Sequence, residues 1–449
     1  MTKRSKTIIM PDPLTSEITR RSFLRNGVSL VGYTTAAVLL GKNNPALAQA
    51  SSFPPQRRLI WISMNGGWDI LETTDAKNGS TPDIDIPYDW ALANSLRGSS
   101  SSERIGRWLP KLATRGQELV VVRGISMGTN SHTAGQVYMD TGVLSNSGNV
   151  NAASIPAIVA SESQATIPIV QLSGGAEPLS DRGLFNAVSV VRAQNLDLYR
   201  TMYPADEKEL SQKLLTLDYL KDSVTRMKTA KGTNDRLTGL ETAEAKVRVQ
   251  FESDVGSKLE VNESDLAPFN DGAPTNLDNN ARDAFALTAK LLKNNLVTCI
   301  NLGMGGYDTH ANQEQRMQPL VANFDHLLAV LIDELKAADA LDNTLIVVYS
   351  DFGRTPKINQ SSGRDHWPVG GALMIGGGID GGRFVGGTND SLLAEWTDPS
   401  TGLVTSEESG IQINPTHLGG SVLELVLGST YMQYRSYLQS IPALTRLRS

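Results

Sequence analysis

Short runs of β-branched and aliphatic residues alternate with longer stretches of helical periodicity, and this alternation limits the fold of the chain more than any other feature. Strands are predicted at Arg58 to Met64, Glu118 to Ile125, Ile167 to Leu172, Leu296 to Leu302, Thr344 to Tyr349 and Ala372 to Ile375. Several are apolar on both faces, as a sheet covered on both sides requires. Between two of them, Leu320, Phe324, Leu327, Leu328, Leu331 and Leu335 recur at helical spacing, so Gln313 to Ala340 reads as a crossover helix. The expected fold is α/β, a mainly parallel sheet with helices on both faces.

Residues 51–449 exceed what one simple core holds, which points to one large domain carrying an insertion. Residues 206–261 differ in character, being rich in Lys, Glu, Asp and Thr. Leu210, Leu214, Leu215, Tyr219 and Leu220 mark one amphipathic helix there, and a charged helix is expected from Leu237 to Phe251. Pro268 to Asn280 reads as a linker, Ala281 to Lys293 resumes helical spacing, and Pro415-Thr416-His417-Leu418 opens a closing helix.

Residues 1–50 read as an address. Thr19-Arg20-Arg21-Ser22-Phe23-Leu24-Arg25 is a twin-arginine export signal, followed by an apolar stretch and by Ala46-Leu47-Ala48 and Ala48-Gln49-Ala50 as cleavage sites. The apolar stretch, Val28 to Leu40, falls short of the roughly 20 residues a membrane anchor needs. The expected destination is the periplasm or beyond. Of the formal charge of −6, the first fifty residues hold seven Lys/Arg and two Asp/Glu, so the remainder carries −11. An acidic body excludes nucleic acid as the natural partner. Cys299 is the only cysteine, so no internal disulfide forms, and its apolar run predicts an inert core thiol.

The candidate chemistry gathers where strands run into loops. Asp69 follows Asn65-Gly66-Gly67-Trp68; Ser131-His132-Thr133 opens a helix that closes at Thr141-Gly142; Asp308 and His310 follow a glycine-rich loop. Asp351 follows an apolar strand and precedes Gly353-Arg354, and His366 lies in the polar loop Gly363-Arg364-Asp365-His366-Trp367. Ser131 reads equally as an N-cap. His326 reads as a surface or packing residue on the crossover helix, and His417 as a helix-terminus residue. Six side chains, Asp69, His132, Asp308, His310, Asp351 and His366, supply hard oxygens and borderline nitrogens without sulfur, a mixture that suits zinc, manganese or another divalent ion. Six ligands divide into two sites, and paired metals are common apparatus for displacement at phosphorus. Arg354 has the planar fork that suits a phosphate or sulfate.

These motifs, with Tyr307-Asp308-Thr309-His310-x-x-Gln313 and Ser350-Asp351-Phe352-Gly353-Arg354-Thr355-Pro356, give the chain from Arg58 to Leu427 a likeness to known proteins. It resembles the alkaline phosphatase and sulfatase superfamily, and within it the secreted branch known as domain of unknown function family 1501. The resemblance implies an alkaline-phosphatase-like sheet and a secreted hydrolase of phosphate or sulfate esters, carried on small molecules or polymers. It also implies one or two divalent ions. One metal would take Asp308, His310 and His366, the second Asp69 and Asp351, with Arg354 neutralising charge on the transferred group.

Two departures stand out: Phe352 replaces a usual ligand, and His132 replaces the usual nucleophile. Three readings follow. Ser131 or Thr133 supplies the nucleophile; His132 takes the missing ligand's place and leaves a metal-bound water to attack; or the chemistry is lost and the fold serves to bind a secreted protein or surface.

Overall fold

The computed structural model describes residues 57–145, 152–163, 165, 167–172, 190–192, 203–252, 255–428 and 437–445. The expected export signal lies outside the described residues. No helix among those described is long and apolar enough to cross a membrane.

In chain order the strands are β1 (Arg58–Met64), β2 (Asn94–Ser95), β3 (Arg104–Ile105), β4 (Leu119–Ser126), β5 (Ile167–Leu172), β6 (Val190–Arg192), β7 (Val297–Met304) and β8 (Thr344–Tyr349). Then come β9 (Gly353–Arg354), β10 (His366–Trp367), β11 (Val369–Gly376) and β12 (Arg383–Val385). Eight form one sheet in the order β12-β4-β11-β8-β1-β7-β5-β6. All pair in parallel except β11, which opposes both β4 and β8. The fold is therefore a predominantly parallel α/β sheet flanked by helices. Strand β11 reverses because the chain returns from β8 through the short β9–β10 pair, without the crossover helix that a parallel neighbour needs.

The longer helices are α1 (His132–Thr141), α2 (Glu207–Lys231), α3 (Asp235–Glu252), α4 (Asn279–Lys293), α5 (Gln313–Ala337) and α6 (Pro415–Leu427). Alternate strand residues Leu59, Trp61, Val120, Val122, Cys299, Val347 and Met374 join Tyr138 and Met139 of α1 and Leu418, Val422 and Leu423 of α6 in one buried cluster. The residues between them, such as Ile60 and Ile62, are fully buried on the other face, where α4 packs beside β7 and against α5. Burial on both faces explains why these strands read as continuous apolar runs. Cys299 lies within the buried cluster, and burial pushes its thiol pKa well up.

The chain divides into two compact units. The smaller contains α2 and α3, packed on each other, with Leu217 and Val224 buried and Arg248 bonded to Asp218 at 2.7 Å. The sheet and the loops discussed below belong to the larger. There a capping box between Asn262 and Asp265 starts a helix that runs through Asn270, so the first three residues of the expected linker, Pro268 to Asn280, are helical, while 271–278 connects it to α4 without helix.

Candidate metal centre

Strand β1 ends in a turn that only glycines tolerate. Gly66 and Gly67 have φ of +114° and +75°, and a Cβ on Gly66 would lie 2.5 Å from the Asp308 amide nitrogen. The turn aims both glycine N–H groups at Asp351, immediately beyond β8, whose Oδ1 accepts from Gly67 at 2.6 Å and Gly66 at 3.2 Å, with the Ser350 hydroxyl at 2.9 Å. Helix α1 sits so close to this point that a Cβ on Gly135 would lie 2.1 Å from the Asp351 carbonyl oxygen. The first helical residue, His132, thereby places its Nδ1 on Asp351 Oδ2.

Three imidazoles meet in front of this turn. His310 Nε2 is 3.0 Å, His366 Nε2 3.4 Å and His132 Nε2 3.6 Å from Asp308 Oδ1, and His310 Nε2 is 3.0 Å from His366 Nε2. Each ring is fixed through its other nitrogen. His132 Nδ1 meets Asp351, His310 Nδ1 meets Asp365 Oδ1 at 2.7 Å, and His366 Nδ1 meets the Asn130 carbonyl oxygen at 2.8 Å. A carbonyl oxygen only accepts, so the neutral His366 ring carries its proton on Nδ1, and a carboxylate imposes the same tautomer on the other two. In that neutral form all three Nε2 lone pairs face the Asp308 carboxylate, and those of His310 and His366 also face each other. That arrangement is repulsive unless a cation lies among them. A tetrahedral ion with legs of about 2.0–2.1 Å sets its donor atoms about 3.3 Å apart, and the three Nε2–Asp308 Oδ1 distances of 3.0, 3.4 and 3.6 Å bracket that value. His132 Nε2 is buried and lacks a hydrogen-bond partner, and ligand atoms of His132, Asp308 and His366 all lie within 4.8 Å of one another.

The cluster is open on one side and closed on the other. Asp308 and His310 are nearly half exposed. The fully buried Phe352 forms the floor, its ring 4.6 Å from those of both His132 and His366. Burial opposes ionisation of Asp308, but Arg354, His310 and His132 outweigh it and hold the carboxyl at about 2. The hydrogen bond that His132 donates to Asp351 raises the His132 pKa against the pull of burial, and the one His310 donates to Asp365 lowers that of Asp365.

Three of the expected site residues have protein partners of their own. Asp69 stands apart from the cluster: it is fully buried, caps a turn by accepting from the Leu71 amide at 2.9 Å, and is held by Arg364 Nε at 3.1 Å and by Gln313. Burial raises its pKa while Arg364 pulls it down. Asp351 has both oxygens on protein donors, Oδ1 on the Gly66 and Gly67 amides and Oδ2 on His132 Nδ1. Arg354 is fully buried, with Nε on the Gly67 carbonyl at 2.8 Å, Nη1 on the Arg364 carbonyl at 3.1 Å, and Nη2 on Asp308 Oδ1 at 2.6 Å and the Gly66 carbonyl. Four of its five N–H groups are engaged in this way, and the side chain is closed off from solvent.

Ser131 occupies the N-cap position of α1 without a side-chain capping bond, and both Ser131 and Thr133 are exposed. His326 is buried on α5, its Nε2 on the Phe269 carbonyl at 2.8 Å, and His417 sits in the first turn of α6. Sequence reasoning missed the orienting roles of Asp365 and the Asn130 carbonyl. The acid beside His366 was the available signal for the first, and a backbone acceptor leaves none.

Fold and site together define a mainly parallel α/β protein with a histidine–carboxylate centre at the carboxyl ends of its strands. The chain belongs to the family described as protein of unknown function DUF1501, whose model matches residues 56–401. No curated protein matches it. Solved structures similar to it include the PsFucS1 sulfatase from Pseudoalteromonas sp., at 11% identity and TM-score 0.36, covering 96% of this chain and 78% of that one. Alkaline phosphatase from the Antarctic bacterium TAB5 matches at 13% identity and TM-score 0.31, covering 72% and 92%. A protein in the alkaline phosphatase superfamily from Vibrio parahaemolyticus matches at 12% and 0.31, covering 81% and 72%.

Proposed function

We propose that His132, His310, His366 and Asp308 hold a divalent cation and that the chain is a metal-dependent hydrolase of phosphate or sulfate esters. The observation that carries the metal is the convergence of three Nε2 lone pairs on one carboxylate oxygen, each ring pinned through Nδ1 to an acceptor. Three nitrogens and one oxygen as a donor set suit zinc best and manganese next. Such an ion supplies Lewis acidity toward an ester oxygen and acidifies water at neutral pH.

The chain's own groups do the orienting. Asp351, itself held by two glycine amides, keeps the His132 proton on Nδ1 and its lone pair forward; Asp365 and the Asn130 carbonyl do the same for the other rings. Ser131 and Thr133, exposed at the head of α1, are the side-chain candidates for nucleophile. The ester class rests on the motif resemblance, as does export through the twin-arginine leader to the periplasm.

The test is turnover of aryl phosphate, phosphodiester and sulfate esters with added zinc or manganese, alongside metal content. Turnover that vanishes in His310→Ala but survives in both Ser131→Ala and Thr133→Ala assigns attack to water. Loss in either hydroxyl variant assigns a covalent route. The non-catalytic alternative, a secreted binding protein that keeps the fold, draws support from the full burial of Arg354, which removes the expected anion partner. It predicts metal without turnover of any ester, whereas protein that binds no metal would end both readings.

A further inference from the structure

We infer that the centre takes a single divalent ion, because the Arg354 guanidinium fills, as a built-in cation, the oxygen cage where a second would otherwise sit. The inference rests on the metal centre proposed above and fixes its stoichiometry.

Four oxygens surround the guanidinium: the carbonyls of Gly66, Gly67 and Arg364 and Oδ1 of Asp308. Three carbonyls and a carboxylate are the ligand type that hard divalent ions such as manganese, magnesium or calcium prefer. The cage lies at the turn after β1, the strand end from which Asp69 of the expected second ligand set follows, and beside Asp308 after β7. The two carboxylates expected to complete that set are committed elsewhere, Asp69 to Arg364 and Gln313 and Asp351 to the glycine amides and His132. A guanidinium keeps its charge at every accessible pH, and Arg354 is fully buried, so another cation at Asp308 would meet fixed, poorly screened repulsion. Asp308 thus bridges one fixed positive charge and one exchangeable ion.

The experiment counts ions. Wild-type protein is saturated with zinc, freed of loose metal and titrated with manganese, in parallel with Arg354→Ala and Arg354→Lys, with metal content read by mass spectrometry. Wild type and the lysine variant should hold one ion per chain and take no manganese at millimolar concentration, while Arg354→Ala should rise from one to two. Anomalous scattering from wild-type crystals soaked in both metals gives a second reading that needs no variant: one peak among the three imidazoles and none at the turn. Two ions in wild type, or a folded alanine variant that still holds one, would overturn the inference and leave the metal centre standing. No ion in wild type would sink the metal centre itself, and the inference with it.

Discussion

Asp69 and Asp308 both follow central strands at their carboxyl ends, both lie within reach of a buried arginine, and they have opposite fates. Asp69 is wholly enclosed, and Arg364, Gln313 and a backbone amide use up its oxygens. Asp308 is nearly half exposed, and one oxygen faces a buried arginine and three imidazole nitrogens at once. Burial raises the pKa of the first, whereas its surroundings hold the second at about 2. The lesson is that a carboxylate at a sheet edge becomes a ligand only where the protein leaves its charge incompletely answered. In the closed region the charge serves the architecture. Arg364, tied down by Asp69, also donates to the Thr355 carbonyl at 2.7 Å and so fixes the loop that delivers Asp365 and His366.

The largest effect should come from breaking the closed pair. Asp69→Ala leaves Arg364 buried and uncompensated, which costs about 3–5 kcal/mol. His310→Ala, in the open cluster, should stay within about 0.5 kcal/mol, as exposed substitutions do. Urea unfolding of the metal-free proteins checks both. Equal losses would mean that the two regions do not differ in the way described.

A second buried carboxylate extends the comparison beneath the site. Asp140, on α1, is fully buried and accepts from Trp61 Nε1 at 2.8 Å and the Tyr349 hydroxyl at 2.6 Å. Burial outweighs those two donors and pushes its pKa up from 3.8 to about 6. A carboxyl raised in the folded state favours folding fully below its unfolded value, and that contribution is lost as pH rises through the folded value. Stability should therefore fall by about 2 kcal/mol between pH 4 and pH 6 on account of this group. In Asp140→Asn that part of the slope should vanish, as thermal unfolding across the window would reveal. A slope unchanged by the substitution would remove Asp140 from the closed class.

Much of this was legible in the chain. Strands β1, β7 and β8 stand out because burial on both faces favours long apolar runs, the β-strand at Leu119–Ser126 is buried almost throughout, and β5 alternates, with Pro168 and Gln171 only partly buried. Strands β6 and β12, three residues each, are too short to show a pattern, and the reversal of β11 depends on connection geometry that no local residue records. Among the site residues, His310 and His366 were conspicuous as loop histidines and His132 as a histidine at a helix start. Sequence could not distinguish Asp69 from Asp308, because the difference lies in partners such as Arg364 that the fold brings from far along the chain. Arg354 misled for the same reason: a guanidinium near carboxylates reads as an anion site until its carbonyl partners are known.

The orienting carboxylates sharpen the comparison within the open cluster. Asp351 is buried, with one oxygen fixed by the glycine amides. In Asp351→Asn the remaining position becomes an amide donor, which cannot accept from His132 Nδ1–H. The ring must then switch tautomer or turn, and Nε2 no longer offers a lone pair. Zinc affinity should fall 10- to 100-fold, the usual cost of losing such a partner, as a chelator competition assay would measure. Unchanged affinity would exclude His132 from the ligand set.

Asp365 plays the corresponding part for His310 but stands in water, its side chain 56% exposed. In Asp365→Asn the amide can rotate to present its oxygen to Nδ1, and solvent can accept the proton where it does not. Asn359, which donates to both Asp365 and the His310 carbonyl, holds the loop in place meanwhile. Solvent screening makes such exposed charge interactions weak, so the loss should be about tenfold or less, measured by the same competition. A larger loss than that of Asp351→Asn would show that burial does not rank the orienting groups. His310 would then replace His132 as the ligand whose tautomer most limits binding.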